Sequence, residues 1–89
     1  MNNDRILPHE ARVNITWRGQ NGDLLDPVPF DASDREIKEW VAEALTGDSV
    51  AGVRARGRVD LRNFVVDRFP QGRNAPHNRI FLRPKTPFG

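Results

Sequence analysis

Cysteine is absent from this chain of 89 residues. The chain therefore forms no disulfides and offers neither a thiol nucleophile nor a thiolate metal site. Long apolar runs are also missing, because none approaches the roughly 20 residues that a membrane-spanning helix needs. The segment Met1–Arg12 lacks the basic-then-apolar order of a secretory signal. We therefore expect a cytoplasmic protein that makes no contact with a membrane.

Lysine is scarce, with two lysines against twelve arginines, and the formal net charge is only +2. Arginine is the better residue for bidentate contacts to carboxylate or phosphate groups, but a GC-rich genome explains this bias at least as well. Hydrophobic residues make up 37% of the chain and charged residues 29%, as in soluble globular proteins. At this length the chain has room for one domain with a single modest core.

One segment, Ser33–Gly47, predicts an α-helix. Ser33 and Glu36 have the spacing of a capping box, in which each side chain accepts from a free backbone N–H at the helix start. Gly47 predicts the end of the helix, since glycine readily adopts the left-handed conformation found there. The apolar residues of the segment repeat at helical spacing and share one face: Ile37, Trp40, Val41, Ala44 and Leu45.

Two segments alternate with the period of a half-buried strand. Arg12–Arg18 places Val13, Ile15 and Trp17 on one side, and Arg79–Arg83 places Ile80 and Leu82 on one side. Between the first strand and the helix, Leu24–Phe30 contains two prolines, which cannot donate to a sheet. We expect this segment to form an edge strand or to pair only in part. The turn that precedes it is predicted at residues 19–22, which include an Asn-Gly pair.

Two segments after the helix are less regular. Val53–Val59 reads as a short strand or an extended loop, with Arg54, Arg56 and Arg58 alternating against small apolar residues. In Leu61–Phe69 the spacing of the apolar residues fits either a strand or two turns of a helix. We favour the strand because β-branched and aromatic residues dominate. The resulting fold class is α+β, with a mixed sheet of four or five strands packed on one helix.

The order of hairpin, helix and further strands resembles the β-grasp fold, and in particular its ubiquitin-like members. The resemblance lies in a short first hairpin, a capped helix, and a last strand that runs into a tail. The matching segments are Arg12–Gly19, Leu24–Phe30, Ser33–Leu45 and Asn78–Gly89. It implies a single ubiquitin-like domain at residues 11–84. Residues 1–10 contain few apolar residues and predict a flexible segment, and the prolines at positions 84 and 87 predict an extended tail at residues 85–89.

The resemblance also implies a role for the tail. Conjugated ubiquitin-like and sulfur-carrier proteins end in Gly-Gly and are activated at the terminal carboxylate, whereas this sequence ends in Phe88-Gly89. By this resemblance Gly89 would be the activated residue, while Phe88, Pro87 and Arg83 would guide the tail into an activating enzyme. The alternative interpretation is that Gly89 is only the point at which this chain stops.

A second candidate site is the densest cluster of arginines in the sequence, formed by Arg54, Arg56, Arg58 and Arg62. In an extended segment Arg54, Arg56 and Arg58 point the same way, and such a face could bind an acidic partner or phosphates. The alternative is a solvated surface balanced by nearby aspartates. Nucleic-acid readers usually interleave aromatic residues for stacking, and here we assign the neighbouring Phe64 and Phe69 to the core.

Three functional hypotheses follow from these features. The leading one is a non-enzymatic ubiquitin-like protein that acts as a protein modifier or binding module, without metal or cofactor. The second is an adaptor or regulatory subunit that holds an acidic protein through its sheet face or its arginines. The third, which we favour least, is a small nucleic-acid-binding domain. We expect the partner to be a protein, either an activating enzyme or a subunit of a complex, and the chain itself to be a monomer.

Overall fold

One sheet and one helix make up residues 6–85, the part of the chain that a computed structural model describes. The predicted fold class is confirmed: the protein is α+β, with a β-grasp-like mixed sheet of five strands packed on one helix. The elements in chain order are β1 (Glu10–Trp17), β2 (Gln20–Asp23), β3 (Val28–Pro29), α1 (Asp34–Thr46), β4 (Phe64–Phe69) and β5 (Asn78–Pro84).

The two longest strands, β1 and β5, lie side by side in the middle of the sheet and run parallel. β2 and β3 both pair antiparallel with β1, along the edge that does not pair with β5. β4 pairs antiparallel with β5, along the edge that does not pair with β1. The strand order is therefore β2-β1-β5-β4, with β3 continuing the β2 side of the sheet. This order leaves β2 and β4 as the two edges.

The core lies between the sheet and α1. Strict alternation in the two central strands turns every second side chain toward the helix, as the sequence predicts. Each large aliphatic side chain buried in this way contributes roughly 1.5–3 kcal/mol to folding. The fully buried residues with the largest side chains are Ile15, Ile37, Leu45, Ile80, Leu82, Val13 and Val41.

The two ends of α1 are held differently. At the start, the predicted capping box is confirmed, because Ser33 Oγ accepts from Glu36 N and Glu36 Oε1 accepts from Ser33 N, each at 3.1 Å. At the end, the prediction of a left-handed Gly47 is wrong. Gly47 has φ −86°, and Asp48 is left-handed with φ 58°. Ser49 N donates to Ala44 O at 2.8 Å and Asp48 N to Leu45 O at 3.2 Å, which is a Schellman arrangement one residue later than predicted.

The first hairpin turns earlier than predicted. Trp17 pairs with Gln20, so the two-residue loop is Arg18-Gly19, and both residues have positive φ (48° and 80°), as a type I′ turn requires. The Asn-Gly pair that suggested a turn lies inside β2. Gly22 serves another purpose there, because a Cβ on it would lie 2.0 Å from the carbonyl oxygen of Ala51. Glycine at this position allows the later loop to approach the strand.

The proline-containing second arm pairs only in part, as predicted. After β2 the chain leaves the sheet at Leu25, which is 65% exposed, and returns for only two residues in β3. Trp40 departs from its predicted place in the core. It is half-buried and lines a groove of about 510 Å³ between α1 and this arm. The helix face is buried instead through Ile37, Val41 and Leu45.

The two ambiguous segments are resolved. Val53–Val59 is an extended loop, with Val53 buried and the intervening arginines exposed. Residues 64–69 form β4, so strand is the correct choice over helix there. Phe64 turns toward the helix side of the sheet and stacks on Trp17 with ring centroids 5.9 Å apart.

The two ends of the described range are tied to the sheet. Asn78 Nδ2 donates to the carbonyls of Pro8 and Glu10, at 2.8 and 2.9 Å, and Lys85 N donates to Asn63 O at 3.2 Å. Within residues 6–85, no helix is long and apolar enough to cross a membrane.

Candidate functional site: the outer face of the sheet

The sheet turns one side away from α1, and we call this side the outer face. The side chains of residues paired directly across neighbouring strands project to the same side of the sheet, so the pairing register shows which residues lie on the outer face. Asn14, Phe81 and Asp67 form one row across β1, β5 and β4, and Asp23 extends that row onto β2. A groove of about 550 Å³ crosses the face. Its outer-face lining comprises Asn14, Thr16, Asn21, Asp67, Phe69, Arg79, Phe81 and Arg83.

An aromatic pair capped by an arginine occupies the centre of this face. Phe69 contacts Phe81 edge to face, with ring centroids 5.5 Å apart. The guanidinium carbon of Arg79 lies 4.8 Å from the centroid of the Phe81 ring, within range of a cation–π interaction. Phe69 is 51% exposed, which is unusual for a phenylalanine on a strand. Aromatic and arginine side chains are the residues that most often dominate binding energy in protein interfaces.

Arg79 has no full set of partners on this face. Its Nε is buried without a hydrogen-bond partner among the described residues. Its Nη2 lies 3.9 Å from Asp23 Oδ1, and that oxygen already accepts from Asn14 Nδ2 at 2.8 Å. The side chain is held by stacking on Phe81 and by this long contact with Asp23, so the N–H groups of its Nη atoms, unlike that of the buried Nε, are left for another group.

The other two arginines on β4 and β5 are used within the protein. Arg83 donates to Asp67 through Nε at 2.9 Å, and its Nη2 lies 2.8 Å from the same carboxylate. Arg68, on the helix side of the sheet, donates to the carbonyl of Phe30 at 2.9 Å and to the carboxylate of Asp34. Arg83 therefore links β5 to β4, and Arg68 links β4 to the segment that enters α1.

A network of short polar side chains forms one wall of the groove. Asn14 Nδ2 donates to Asn21 Oδ1 at 3.0 Å, and Asn21 Nδ2 donates back to Asn14 Oδ1 at 2.8 Å. Asn21 also donates to Thr16 Oγ1 at 3.0 Å. These bonds link β1 to β2 and hold the amides in one orientation, so the wall is preorganised.

The arginines predicted as a site lie on two different elements. Arg54, Arg56 and Arg58 are exposed on the loop between α1 and β4, whereas Arg83 lies on the outer face beside Asp67. Within the described residues, none of the three loop arginines comes within 4 Å of a carboxylate. The predicted tail residues Phe88 and Gly89 lie outside the described residues.

Arg62, near the same loop, is engaged locally. It binds the Asp60 carboxylate through Nε at 3.1 Å and Nη2 at 2.8 Å, and its backbone N donates to the same group at 3.1 Å. These hydrogen bonds lower the pKa of Asp60 to about 2 from its ordinary value of 3.8. Arg62 therefore does not belong with the three unpaired loop arginines.

Sequence reasoning missed the centre of the outer face. The alternation in Arg79–Arg83 correctly places Arg79, Phe81 and Arg83 on one side of β5. Phe69, however, was assigned to the core, and its contact with Phe81 depends on how β4 pairs with β5. No local pattern specifies that register across the loop of residues 70–77.

Comparisons of this chain with models of known protein families, with curated proteins and with solved structures find no match. Among residues 6–85, no three acidic or histidine side chains lie together in a way that could hold a metal ion. The case for the outer face therefore rests on its own geometry and chemistry.

Proposed function

We propose that this protein is a small ubiquitin-like binding module, without catalytic activity, that holds a protein partner on the outer face of its sheet. The observation that carries the proposal is the half-exposed Phe69 packed on Phe81 beside the incompletely paired Arg79. A preformed aromatic surface loses little conformational entropy when a partner covers it.

The same cluster specifies the chemistry of the partner. Phe69 and Phe81 offer an apolar surface, which an aliphatic or aromatic side chain would cover. Arg79, already oriented by stacking, would donate to a carboxylate, and hydrogen bonds between charged groups are about twice as strong as neutral ones. The partner segment is therefore expected to carry an apolar residue next to an aspartate or glutamate.

The three loop arginines support an acidic partner in a different way. Arg54, Arg56 and Arg58 are exposed, and within residues 6–85 none of them forms an ion pair with a carboxylate, so most of their field extends into solvent. Charges of this kind mainly raise the rate at which an oppositely charged protein associates. In this proposal they attract the partner, and the outer face binds it.

Site-specific photo-crosslinking tests the binding face. A benzoylphenylalanine placed at Phe69 in the full chain, expressed in the source cells, should trap a protein partner. The same group at Arg35, an 88% exposed position on α1, should not. Arg79→Gln should abolish the Phe69 adduct, whereas Arg73→Gln, an exposed loop arginine, should leave it unchanged. Equal adducts from both positions, or an adduct insensitive to Arg79→Gln, would refute the proposed face.

The modifier form of the proposal depends on the tail. It requires activation of Gly89, and its support is the glycine that follows the proline-containing segment Pro84–Pro87 in the sequence. Deleting Gly89 should then remove covalent adducts of the chain from cell extracts while leaving photo-crosslinking at Phe69 intact. If covalent adducts persist without Gly89, or are never found, the modifier form fails and the binding module stands.

A further inference from the structure

The two edges of the sheet differ in how they are protected. Along β2, the loop after α1 covers the edge: Gln20 Nε2 donates to Arg54 O at 3.0 Å, and Arg54 N donates to Gln20 Oε1 at 2.8 Å. Leu24 forms a bridge with Val50, and Gly22 accommodates the carbonyl of Ala51. A further strand has no access there.

The β4 edge has unpaired main-chain groups. Lys85 N donates to Asn63 O, so in this antiparallel ladder residues 63, 65, 67 and 69 exchange their bonds with β5. The N–H and C=O groups of Val66 and Arg68 consequently point away from the sheet. No residue in the described part of the chain bonds to them, whereas the N–H of Phe64 donates to Leu61 O at 3.0 Å.

The β4 edge has few of the usual features that prevent strand addition. Natural sheets protect such edges with proline, a bulge, or charged side chains such as lysine and inward-pointing charges. β4 has the sequence Phe-Val-Val-Asp-Arg-Phe and pairs with β5 without interruption. Its one charge on the helix side, Arg68, is neutralised by Asp34 and the Phe30 carbonyl. The edge is therefore regular and available to an extended strand.

We infer that the strand that pairs with this edge is β4 of a second copy of the chain. The two β4 strands run antiparallel, and the two-fold axis passes between the two Val66 residues. Each Val66 exchanges two main-chain bonds with Val66 of the partner subunit. Each Arg68 N–H donates to the carbonyl of Phe64 of the partner subunit. This inference does not depend on the proposed function, because it uses the main-chain groups at the edge of β4, whereas the proposed function uses side chains of the outer face.

Charge disfavours the registers whose axis lies toward the C-terminal end of β4. An axis at Asp67 would place two carboxylates directly opposite each other, and an axis at Arg68 would do the same with two guanidinium groups. Like charges in directly opposed positions destabilise a sheet. With the axis at Val66, Asp67 lies opposite Val65 of the partner subunit, and Arg68 lies opposite Phe64 of the partner subunit, an aromatic ring that attracts cations.

The size of the edge sets the strength of the dimer. A pair of six-residue strands covers much less surface than the roughly 1,200 Å² at the lower limit of stable interfaces. The association should accordingly be weak and reversible, with a dissociation constant on the order of 0.1–1 mM. The protein would be a monomer when dilute, as the sequence suggests, and a dimer where it is concentrated.

Sedimentation velocity of the full chain, from about 10 μM to 2 mM, tests the inference across the expected range. Val66→Pro removes an outward N–H and no bond to β5, so the sheet should tolerate it. Val66→Ala is the matched control, because it removes side-chain volume but keeps the N–H. Wild type and Val66→Ala should dimerise with concentration, and Val66→Pro should weaken the dimer at least tenfold.

A second measurement covers the case in which Val66→Pro fails to fold. On dilution of the wild-type protein, the amide NMR signals of Val66 and Arg68 should shift, while those of β2 should not. A chain that stays monomeric over the whole range, a Val66→Pro variant that dimerises like wild type, or dilution shifts confined to other strands would each overturn the inference.

Discussion

Asp48 carries a left-handed backbone, with φ 58°, at the end of α1. An L-residue with a Cβ is strained in this region, aspartate less than most, and glycine is not. Asp48→Gly should therefore raise the free energy of unfolding by about 0.5 kcal/mol, the strain relief exceeding the entropy of the added glycine. Urea denaturation measures the change. Asp48→Ala retains the strained Cβ and loses the carboxylate, so it should be less stable than Asp48→Gly; the reverse order would contradict this explanation.

Gly22 is required for a different reason, the close approach of the Ala51 carbonyl. Gly22→Ala forces the loop that contains Ala51 away from β2. It should lower the free energy of unfolding by about 1–3 kcal/mol, the usual cost of overpacking. The matched control is Gly72→Ala, whose new Cβ would have no heavy atom within 4 Å. The control should change stability by less than about 1 kcal/mol. Equal effects of the two substitutions in thermal unfolding would disprove the role assigned to Gly22.

Asp60 predicts a pH effect with a defined sign. Because hydrogen bonds from Arg62 lower the pKa of Asp60 to about 2 in the folded protein, its carboxylate favours folding above the ordinary value of 3.8. That contribution is lost as the pH falls through about 2. In an NMR titration, Arg62→Gln should return the Asp60 pKa toward 3.8. Arg58→Gln, which removes only a weak charge effect, should change it much less.

At the scale of elements, α1 buries fewer residues than the apolar pattern of its sequence predicts. Ile37 is fully buried, whereas the larger Trp40 is half-buried beside the Leu24–Pro29 arm. Ile37→Ala should cost about 2–5 kcal/mol and leave a cavity under the sheet. Trp40→Ala should cost less, since Trp40 packs at the margin of the core and is only partly buried. Chemical denaturation of both variants measures the order, and a larger loss for Trp40→Ala would place the tryptophan in the core after all.

Elements also differ in how far sequence could predict them. The start of α1 was predictable because its capping box joins Ser33 and Glu36, which are only three residues apart in the sequence. The hairpin turn was misplaced by two residues, because Arg18 adopts a positive φ that its type does not suggest. Gly22 looked like a turn residue, and only the packing of Ala51 against it explains the glycine.

At the scale of the whole molecule, the parallel pair of β1 and β5 holds the two ends of the fold together. Both strands are flanked on each side by another strand, so their amides should be the last to exchange with solvent. Hydrogen exchange by NMR in dilute solution should find Ile15, Ile80 and Leu82 among the slowest. Val66 should exchange faster, because its N–H faces the open edge. Comparable protection of Val66 and Ile80 in a dilute monomer would contradict this arrangement.

The sequence by itself determined the local structure and, through it, the class of fold. Period-two alternation in Arg12–Arg18 and Arg79–Arg83 and helical spacing in Ser33–Gly47 are set by neighbouring residues, so they specify strands, helix and buried faces without tertiary knowledge. The α+β class follows from their order. Within the described residues, the two strands and the helix are confirmed, whereas Trp40 and Gly47 depart from their predicted roles.

The tertiary structure alone decided which surfaces come together. Asn78 bonds to the carbonyl of Glu10, 68 positions earlier, and Phe69 reaches Phe81 only through the β4–β5 register. The candidate binding site and the unpaired edge of β4 both depend on such long-range pairing. Register across a loop is fixed by how buried faces match in three dimensions, and a one-residue slip would turn Phe69 to the other side of the sheet.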